Sequence, residues 1–430
     1  MIQIIKVEEG FDEDWLKKRL PSRGLGNEEV LEAVTNIIED VRRNGDEALI
    51  KYAKMFDGVD LKKTGLKVSA AEIDEAYNLA DKTFVESIKL IKERVEAFHQ
   101  RQKVDSWFVE EGNILLGQLV RPIGVAGIYV PGGLASYPSS VIMNAVPAKI
   151  AGVGEIVMCT PPNLEGKVNP DTLIAAREAG VNEIYRVGGA QAIAALACGT
   201  ETVKKVDKIT GPGNIYVTLA KKVVIGQVDI DMLAGPSEIV VLADKTANPL
   251  YIAVDMLSQA EHAPDAMAVL VTTSEALAKK ARLILIEEVA KLNRREIAET
   301  SLKVNGRIFV TSSSADAVRL VNLIAPEHLE LMVEKPLEKL QEIENAGAIF
   351  LGSFTPEAIG DYFAGPNHVL PTGGTARFYS PLGVEDFIKK SNVLFYDKES
   401  LKRASKTVKV IAKTEGLEAH FKSIEIRFED

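Results

Sequence analysis

Apolar residues in the first hundred positions recur with a helical period. Over residues 27–45 (NEEVLEAVTNIIEDVRRNG) they fall on one helix face, at Val30, Val34, Ile37, Ile38 and Val41. Gly45 indicates the end of this helix, and a second helix is predicted over about residues 46–56. Such one-sided patterns predict helices that pack against other helices.

From about residue 120, short apolar runs alternate with helical patterns. The first series contains the strand patterns PIGVAGIYV, EIVMCT and EIYRV, and the second contains SEIVVLAD, AMAVLVTT, RIFVTS and AIFLG. Apolar strands that alternate with helices predict parallel sheets covered on both faces. Two such series predict two related α/β domains with an active site between them.

A separate tail is predicted after Pro381. It contains a helix and then the segment SIEIRFED, in which Ile424, Ile426 and Phe428 alternate with charges, a pattern that predicts a half-buried strand. Eight lysines and arginines lie between residues 389 and 413, but apolar residues interleave with them. A solvated helix face is therefore favoured there over a nucleic-acid contact.

Charge and cysteine usage narrow the class of protein. The formal net charge of −10 disfavours nucleic-acid binding, which needs a basic surface. Cys159 and Cys198 lie far apart in apolar segments, so neither a thiolate zinc site nor a disulfide framework is expected. No signal peptide or membrane-spanning stretch is visible, and a cytoplasmic protein without a membrane partner is predicted.

Three glycine clusters punctuate the first α/β series. They are VPGGLAS (130–136), VGGAQA (187–192) and TGPGNIY (210–216), each between a predicted strand and a predicted helix. Glycine lets backbone approach a ligand, and the following helix N-terminus attracts phosphate. None is a complete G-x-G-x-x-G. Together they predict a ligand crevice at one sheet edge, with a nucleotide as the obvious candidate.

Two segments carry histidines with possible chemistry. The helix before Pro264 places Asp255, Gln259 and His262 on one face. His262 is either a histidine at a helix C-terminus or a ligand. His328 follows Glu327 in a segment expected to open a helical turn with Glu327 exposed, so the two form either a surface pair or a general-base pair.

Taken together, the motifs resemble the histidinol dehydrogenase family, whose NAD- and zinc-dependent enzymes end histidine biosynthesis. Eight stretches in family order, spanning nearly the whole chain, carry the resemblance: DVRRNGDEALIKYAKMFD, GIYVPGGLASYPSSVIMNAVPAKIAGV, TGPGNIYVTLAK, AGPSEI, SQAEHAPDA, IAPEHLEL, IGDYFAGPNHVLPT and EGLEAH.

The resemblance implies an aldehyde-dehydrogenase-like α/β fold with two Rossmann-like domains and parallel-type sheets. We expect an N-terminal extension (1–24), a catalytic domain that also binds zinc (25–128 and 238–380), an NAD-binding domain (129–237) and a C-terminal tail (381–430). It further implies a homodimer in which the tails are exchanged and the active site is shared between subunits.

The family's functional residues carry over onto matching positions. The zinc ligands, one zinc per subunit, would be Gln259, His262, Asp361 and His420, and the catalytic pair would be Glu327 and His328. Substrate contacts would be Ser237, Gln259, His262, His328, Asp361, Glu415 and His420, with His368 a weaker candidate. NAD contacts would be Tyr129, Gln191 and Asn214. Asp255 is a possible partner behind the ligands, on the helix pattern alone.

The implied reaction oxidises L-histidinol to L-histidine through L-histidinal with two NAD. His328 would take a proton as hydride leaves, and Glu327 would activate the water that attacks the aldehyde. Three alternatives stay open: a metal-free aldehyde dehydrogenase that uses a cysteine, a zinc hydrolase with Glu327 as base, and a scaffold that has lost activity.

Overall fold

The computed structural model describes residues 2–21, 23, 28–132 and 136–429. Their chain divides into a main unit, from residues 1–102 and 123–387, and a tail unit, from residues 103–122 and 388–430. The predicted domain boundary at 24/25 and part of the first glycine cluster, Gly133–Ala135, lie outside the described residues. The predicted domain limits stay predictions.

A six-stranded parallel sheet forms one half of the main unit. Its strands are β1 (Gln3–Lys6), β9 (Glu238–Ala243), β10 (Met267–Thr272), β11 (Arg307–Val310), β12 (His328–Met332) and β13 (Ala348–Leu351). They lie in the order β1-β11-β10-β9-β12-β13. The central strands are buried on both faces, which explains their continuous apolar runs.

A five-stranded parallel sheet forms the other half. Its strands are β4 (Val125–Tyr129), β5 (Glu155–Cys159), β6 (Glu183–Tyr185), β7 (Lys208–Thr210) and β8 (Asp229–Ile230), in the order β6-β5-β4-β7-β8. Both parallel sheets follow from the strand–helix alternation, and the predicted α/β class is confirmed.

Helices cover both sheets. Those of the main unit are α1 (Glu13–Lys17), α2 (Glu28–Tyr52), α3 (Leu61–Thr64), α4 (Ala70–Leu79), α5 (Lys82–His99), α6 (Pro138–Ala151), α7 (Pro170–Ala179), α8 (Gly189–Cys198), α9 (Ile215–Val224), α10 (Pro249–Ala260), α11 (Glu275–Val289), α12 (Arg295–Val304), α13 (Ser314–Ile324), α14 (Pro336–Leu340) and α15 (Glu357–Ile359). Among the described residues, none of the helices is both long and apolar enough to span a bilayer.

The apolar stripe predicted for helix α2 is the face that this helix buries. Its stripe of Val34, Ile37, Ile38 and Val41 is buried in a core shared with α8 and α9. Gly45 interrupts the helical backbone with φ 51° and ψ −129°, where the sequence predicts a break. The second predicted helix follows directly and ends in a π-helical turn, Ala53–Asp57.

The tail unit contains an antiparallel sheet that the sequence analysis missed. Strands β2 (Trp107–Glu111), β3 (Ile114–Pro122) and β14 (Ile388–Tyr396) pair in the order β14-β3-β2, and helices α16 (Lys398–Thr414) and α17 (Glu418–Glu425) follow. The strand predicted for SIEIRFED is wrong, because that segment completes α17 and its C-terminal turn. Helix α17 packs on α16, and Glu425 pairs with Lys409 across the two helices.

Candidate active site

The predicted catalytic pair lies at the start of β12, between β9 and β13. Glu327 and His328 are both buried, so the expectation of a helical turn with an exposed Glu327 is wrong. The segment forms a strand because its register pairs His328 with Ile239 on one side and Ala348 on the other. Glu330 interrupts the apolar run of this buried strand, so a pattern of continuous apolar residues does not predict the strand.

The backbone of a single residue, Glu238 at the start of β9, holds both members of the pair. The Glu238 N–H donates to the Glu327 carboxylate at 2.8 Å. The His328 Nδ1 lies 3.0 Å from the Glu238 carbonyl oxygen, which can only accept, so Nδ1 carries the proton. His328 Nε2 therefore keeps its lone pair, and it is buried without a hydrogen-bond partner among the described residues.

Burial shifts the two pKa values in opposite directions. Burial lowers the pKa of His328, opposed by the charge of Asp361 and the bond to Glu238, so the ring is neutral near pH 7. Burial raises the pKa of Glu327 well above its ordinary range, and the charges of Glu238, Glu357 and Asp361 add to the effect. The N–H bond from Glu238 opposes that rise.

The C-terminal end of α10 reaches the same sheet edge. Gln259 is fully buried, and neither its amide oxygen nor its nitrogen has a partner among the described residues. His262 keeps an exposed face, yet partial burial lowers its pKa, while the charge of Asp361 raises it. Burial raises the pKa of Glu330 on β12 to about 9, and the charge of Asp255 adds to the rise, so these two carboxyls lie close together.

Asp361 is the electrostatic centre of the cluster. The charge of its carboxylate raises the pKa values of His262, of the catalytic pair and of His368. It lies in the π-helical turn Gly360–Ala364 that follows α15. Ligating atoms of His328, Glu357 and Asp361 all lie within 4.8 Å of one another.

Glu357 was missed by the sequence analysis, although it stands four residues before Asp361 in PEAIGD. An acidic pair at that spacing falls on one helix face, and this signal would have found it. The Glu357 N–H donates to the Glu330 carboxylate at 2.9 Å, which fixes the start of α15 against β12. Burial raises the pKa of Glu357 well above its ordinary range, and the charges of Asp361 and Asp255 add to the rise.

The residues present fit a divalent cation. Several buried polar atoms lack a hydrogen-bond partner within the described ranges: both amide atoms of Gln259, Nε2 of His328, Oε2 of Glu357 and Nε2 of His368. Buried polar groups are normally satisfied, so such a group of atoms points to a missing ligand. Imidazole and oxygen donors without cysteine suit a catalytic zinc, which keeps open positions for substrate.

A cavity of about 850 Å³ adjoins the cluster, a size that suits a small-molecule site. Asp361 and His368 line one part of it, together with Phe350, and Lys208 and Asp386 line another. Ser237 precedes β9 and is partly buried, with its carbonyl oxygen bonded to the N–H of Met267 at 3.0 Å.

The predicted NAD contacts lie at the carboxyl edge of the five-stranded sheet. Tyr129, the last residue of β4, accepts a bond from the Gly189 N–H at 3.1 Å, and Gln191 is buried in the helix that Gly189 begins. Asn214 caps α9. Gly211 packs so closely on Tyr129 that an added Cβ would overlap the Tyr129 carbonyl. The described parts of the glycine clusters therefore meet at one edge.

Glu415 and His420 lie in the tail unit, and both are exposed there. Glu415 follows α16, and His420 lies in the first turn of α17. The roles predicted for all these residues stay predictions.

Comparisons with known proteins give a consistent result over the whole chain. The family profile described as Histidinol dehydrogenase matches residues 21–428. Histidinol dehydrogenase from Heliobacterium mobile is 50% identical over 430 residues, covering 100% of both chains. Histidinol dehydrogenase from Carboxydothermus hydrogenoformans is 54% identical over 418 residues, covering 97% of this chain and 98% of that one.

A solved structure agrees with the sequence relatives. The crystal structure of histidinol dehydrogenase from Elizabethkingia anophelis has a TM-score of 0.94 with 37% sequence identity. The match covers 100% of this chain and 98% of the Elizabethkingia anophelis chain.

Proposed function

Because this chain belongs to the histidinol dehydrogenase family, we propose that the buried cluster around Asp361 is where it oxidises histidinol to histidine with NAD. The observation that carries this assignment is the backbone of Glu238. It presents the free Nε2 of His328 and the carboxylate of Glu327 to the same cluster. The enzyme is an oxidoreductase of histidine biosynthesis.

The first residue role is that of His328. Its neutral ring takes the proton of the substrate hydroxyl at Nε2 while the carbinol carbon gives up hydride. The bond from Nδ1 to the Glu238 carbonyl fixes the tautomer and the orientation of the ring. Because the site is buried, the proton is transferred in a space that excludes bulk water.

The second role is that of Glu327 in the conversion of L-histidinal. Its carboxylate accepts a proton from the water that attacks the aldehyde carbon, and the resulting hydrate gives up a second hydride. The raised pKa makes this carboxylate a stronger base than an exposed glutamate. The Glu238 N–H holds one oxygen, which leaves the other for the water. Two NAD are therefore consumed per histidinol.

The zinc ligands proposed are Gln259, His262 and Asp361, with His420, one zinc per subunit. When bound, zinc would serve as a template that orients the substrate amine and imidazole. It would also serve as a Lewis acid. His328 and Glu357 also lie within ligating range of Asp361. We assign His328 as base because Nε2 is its only free nitrogen and cannot serve both roles.

The remaining contacts follow from position. Ser237, Glu415 and His368 are proposed to contact the substrate. Tyr129, Gln191 and Asn214 are proposed to contact NAD, and their support is the meeting of the glycine loops at one sheet edge. The two free cysteines fit a reducing, cytoplasmic setting.

We propose that the protein acts as a homodimer in which Glu415 and His420 serve the partner's site. The tail unit supports this, because large apolar side chains are exposed on its strands and helices, namely Trp107, Phe108, Leu394, Phe395 and Ile411. Large apolar side chains exposed in this number on a small unit are typical of surfaces that a partner covers.

The test is the amount of NADH formed per L-histidinol consumed, with and without a chelator. Two NADH per histidinol, lost on chelation and restored by zinc, is the expected result. One NADH with free aldehyde would contradict the role of Glu327. No NADH from a protein that has been loaded with zinc would contradict the proposed function as a whole.

A further inference from the structure

An arginine far away in sequence holds the carboxylate of Glu238. Arg23 Nε donates to Glu238 Oε1 at 2.7 Å, and its Nη2 donates to Oε2 in the same two-pronged contact. The Glu238 side chain is 3% exposed and that of Arg23 is 17% exposed, so this ion pair is largely shielded from water. Paired bonds of this geometry fix orientation as well as distance.

The contacts of Glu238 divide into two sets. Its carboxylate bonds Arg23, while its backbone bonds the catalytic pair, through the N–H to Glu327 and through the carbonyl to His328. The side chain therefore fixes the residue, and the backbone of that residue orients the two reacting groups.

Arg23 also contacts the segment that leads into the catalytic pair. Its Nη1 donates to the carbonyl of Ile324 at 2.7 Å, three residues before Glu327. Between them, Ala325 ends α13 with φ 48°, a left-handed conformation that an alanine rarely adopts. One guanidinium thus joins the two backbone segments, at the start of β9 and before β12, between which the catalytic pair is held.

We propose that Arg23 is a positioning residue for the oxidation of histidinol, acting through the backbone of Glu238 on Glu327 and His328. The inference rests on the proposed function. Catalytic groups misplaced by about 1 Å lose about 100-fold in rate, so loosening the Glu238 backbone affects turnover before it affects binding. Among the described residues, the hydrogen bonds of Arg23 go to Glu238 and Ile324 and to neither catalytic side chain, so its effect on them passes through these two residues.

The experiment compares Arg23→Met, Arg23→Lys and the control Arg377→Met in the zinc-loaded enzyme. Arg377 is matched because it also bonds a carboxylate, that of Glu13, and a carbonyl at the end of α13, that of Leu323, but it has no bond to Glu238. For each variant, kcat, KM for histidinol, bound zinc and NADH per histidinol are measured beside the wild type.

Arg23→Met is expected to lower kcat about 30-fold or more, with zinc content and KM changed less than about threefold. NADH per histidinol should fall from two toward one, with aldehyde released, because Glu327 is no longer aligned with its water. Arg23→Lys keeps the charge but not the two-pronged contact and should restore only part of kcat. Arg377→Met should keep kcat within about twofold of the wild type.

Two results would overturn the inference while leaving the proposed function intact. One is a kcat of Arg23→Met equal to that of an active wild type. The other is an activity loss that matches the loss of zinc-loaded protein, with two NADH per histidinol retained, which is the result of a merely structural role. A wild type that forms no NADH from histidinol would overturn the proposed function, and this inference with it.

Discussion

At the scale of the residue, the site depends on which nitrogen of His328 carries a proton. The Glu238 carbonyl can only accept, so it assigns the proton to Nδ1 and leaves Nε2 as a base. Burial lowers the pKa of the His328 ring and keeps the ring neutral. The charge of Asp361 raises this pKa and so opposes the effect of burial, as it also does at His262. The same backbone group therefore sets the tautomer and the direction of the base.

Replacing His328 by Asn tests this role. The amide has similar size but cannot take a proton, so kcat should fall by about 100- to 10,000-fold, the contribution usual for general-base catalysis. Steady-state NADH formation measures the change, with thermal unfolding as the control for folding. A kcat within tenfold of the wild type would show that His328 is not the base.

Asp57 offers a prediction away from the catalytic cluster. One of its carboxylate oxygens is buried with no partner within the described ranges, and burial raises its pKa from 3.8 to about 6. A carboxyl whose folded pKa is raised favours the folded state at low pH and loses that stability as pH rises through about 6. Ionised Asp57 therefore destabilises the protein at neutral pH.

Asp57→Asn should stabilise the protein by roughly 1–2 kcal/mol at pH 7.5, a figure reduced for the solvent that still reaches the group. The gain should shrink as pH is lowered toward about 4.5, because folded Asp57 is then protonated. Urea unfolding at the two pH values measures it. A variant less stable than the wild type at pH 7.5 would contradict the argument.

Single residues also show what the sequence could and could not predict. Family motifs name Gln259, His262 and Asp361. The structure places His262 close enough to feel the charge of Asp361, and it buries the Gln259 amide without a partner among the described residues. They give no role to Arg23 or Glu238, because a contact between residues 215 positions apart leaves no local pattern. The burial of Glu327 was missed for the same reason, since it depends on the neighbours of β12.

At the scale of the element, the two sheets place their sites at different edges. The glycine loops follow the carboxyl ends of β4 and β7, as expected for open α/β sheets. The catalytic cluster lies instead at the amino ends of β9 and β12, where the C-terminal end of α10 also arrives. Strand–helix alternation predicts both sheets but not which edge carries chemistry.

The tail helix α17 shows why a short alternation misleads. In SIEIRFED, three apolar residues alternate, yet Phe421, Ile424 and Phe428 also follow helical spacing. Phe421 lies under the ammonium groups of Lys409 and Lys413 from α16, so packing between the two helices decides the conformation. Local pattern could not resolve the two readings.

Gly211 carries a prediction about the loop beside Tyr129. It has φ +115°, and a Cβ there would overlap the Tyr129 carbonyl. Gly211→Ala should displace the loop and weaken NAD binding by about tenfold or more, since strain of 1–3 kcal/mol is typical of such positions. NAD titration of the zinc-loaded protein, followed by fluorescence, measures this effect.

Gly226→Ala is the matched control. Gly226 also has a positive φ, +93°, but an added Cβ meets open space. NAD affinity should therefore stay within about twofold of the wild type. Equal NAD affinities for the two alanine variants would contradict a specific role for the Gly211 loop.

At the scale of the whole molecule, the proposed dimer makes the active site a property of two chains. His262 lies in the main unit and His420 in the tail unit. With exchanged tails, His420 of one chain would complete the site that contains His262 of the other chain. Mixed and refolded His262→Ala and His420→Ala chains should recover about a quarter of wild-type activity. Half of the dimers are then mixed, and each mixed dimer has one intact site of two. Recovery no greater than that of either variant alone would contradict a shared site.

The amount of zinc bound per chain decides whether the cluster around Asp361 is a metal site with His328 as its base. Equilibrium dialysis should give one zinc per chain for the wild type and for His328→Asn. The double variant Gln259→Ala, Asp361→Asn should bind zinc at least about 100-fold more weakly, since it loses two ligands. Tight binding of one zinc by the double variant, or loss of zinc from His328→Asn, would contradict the account.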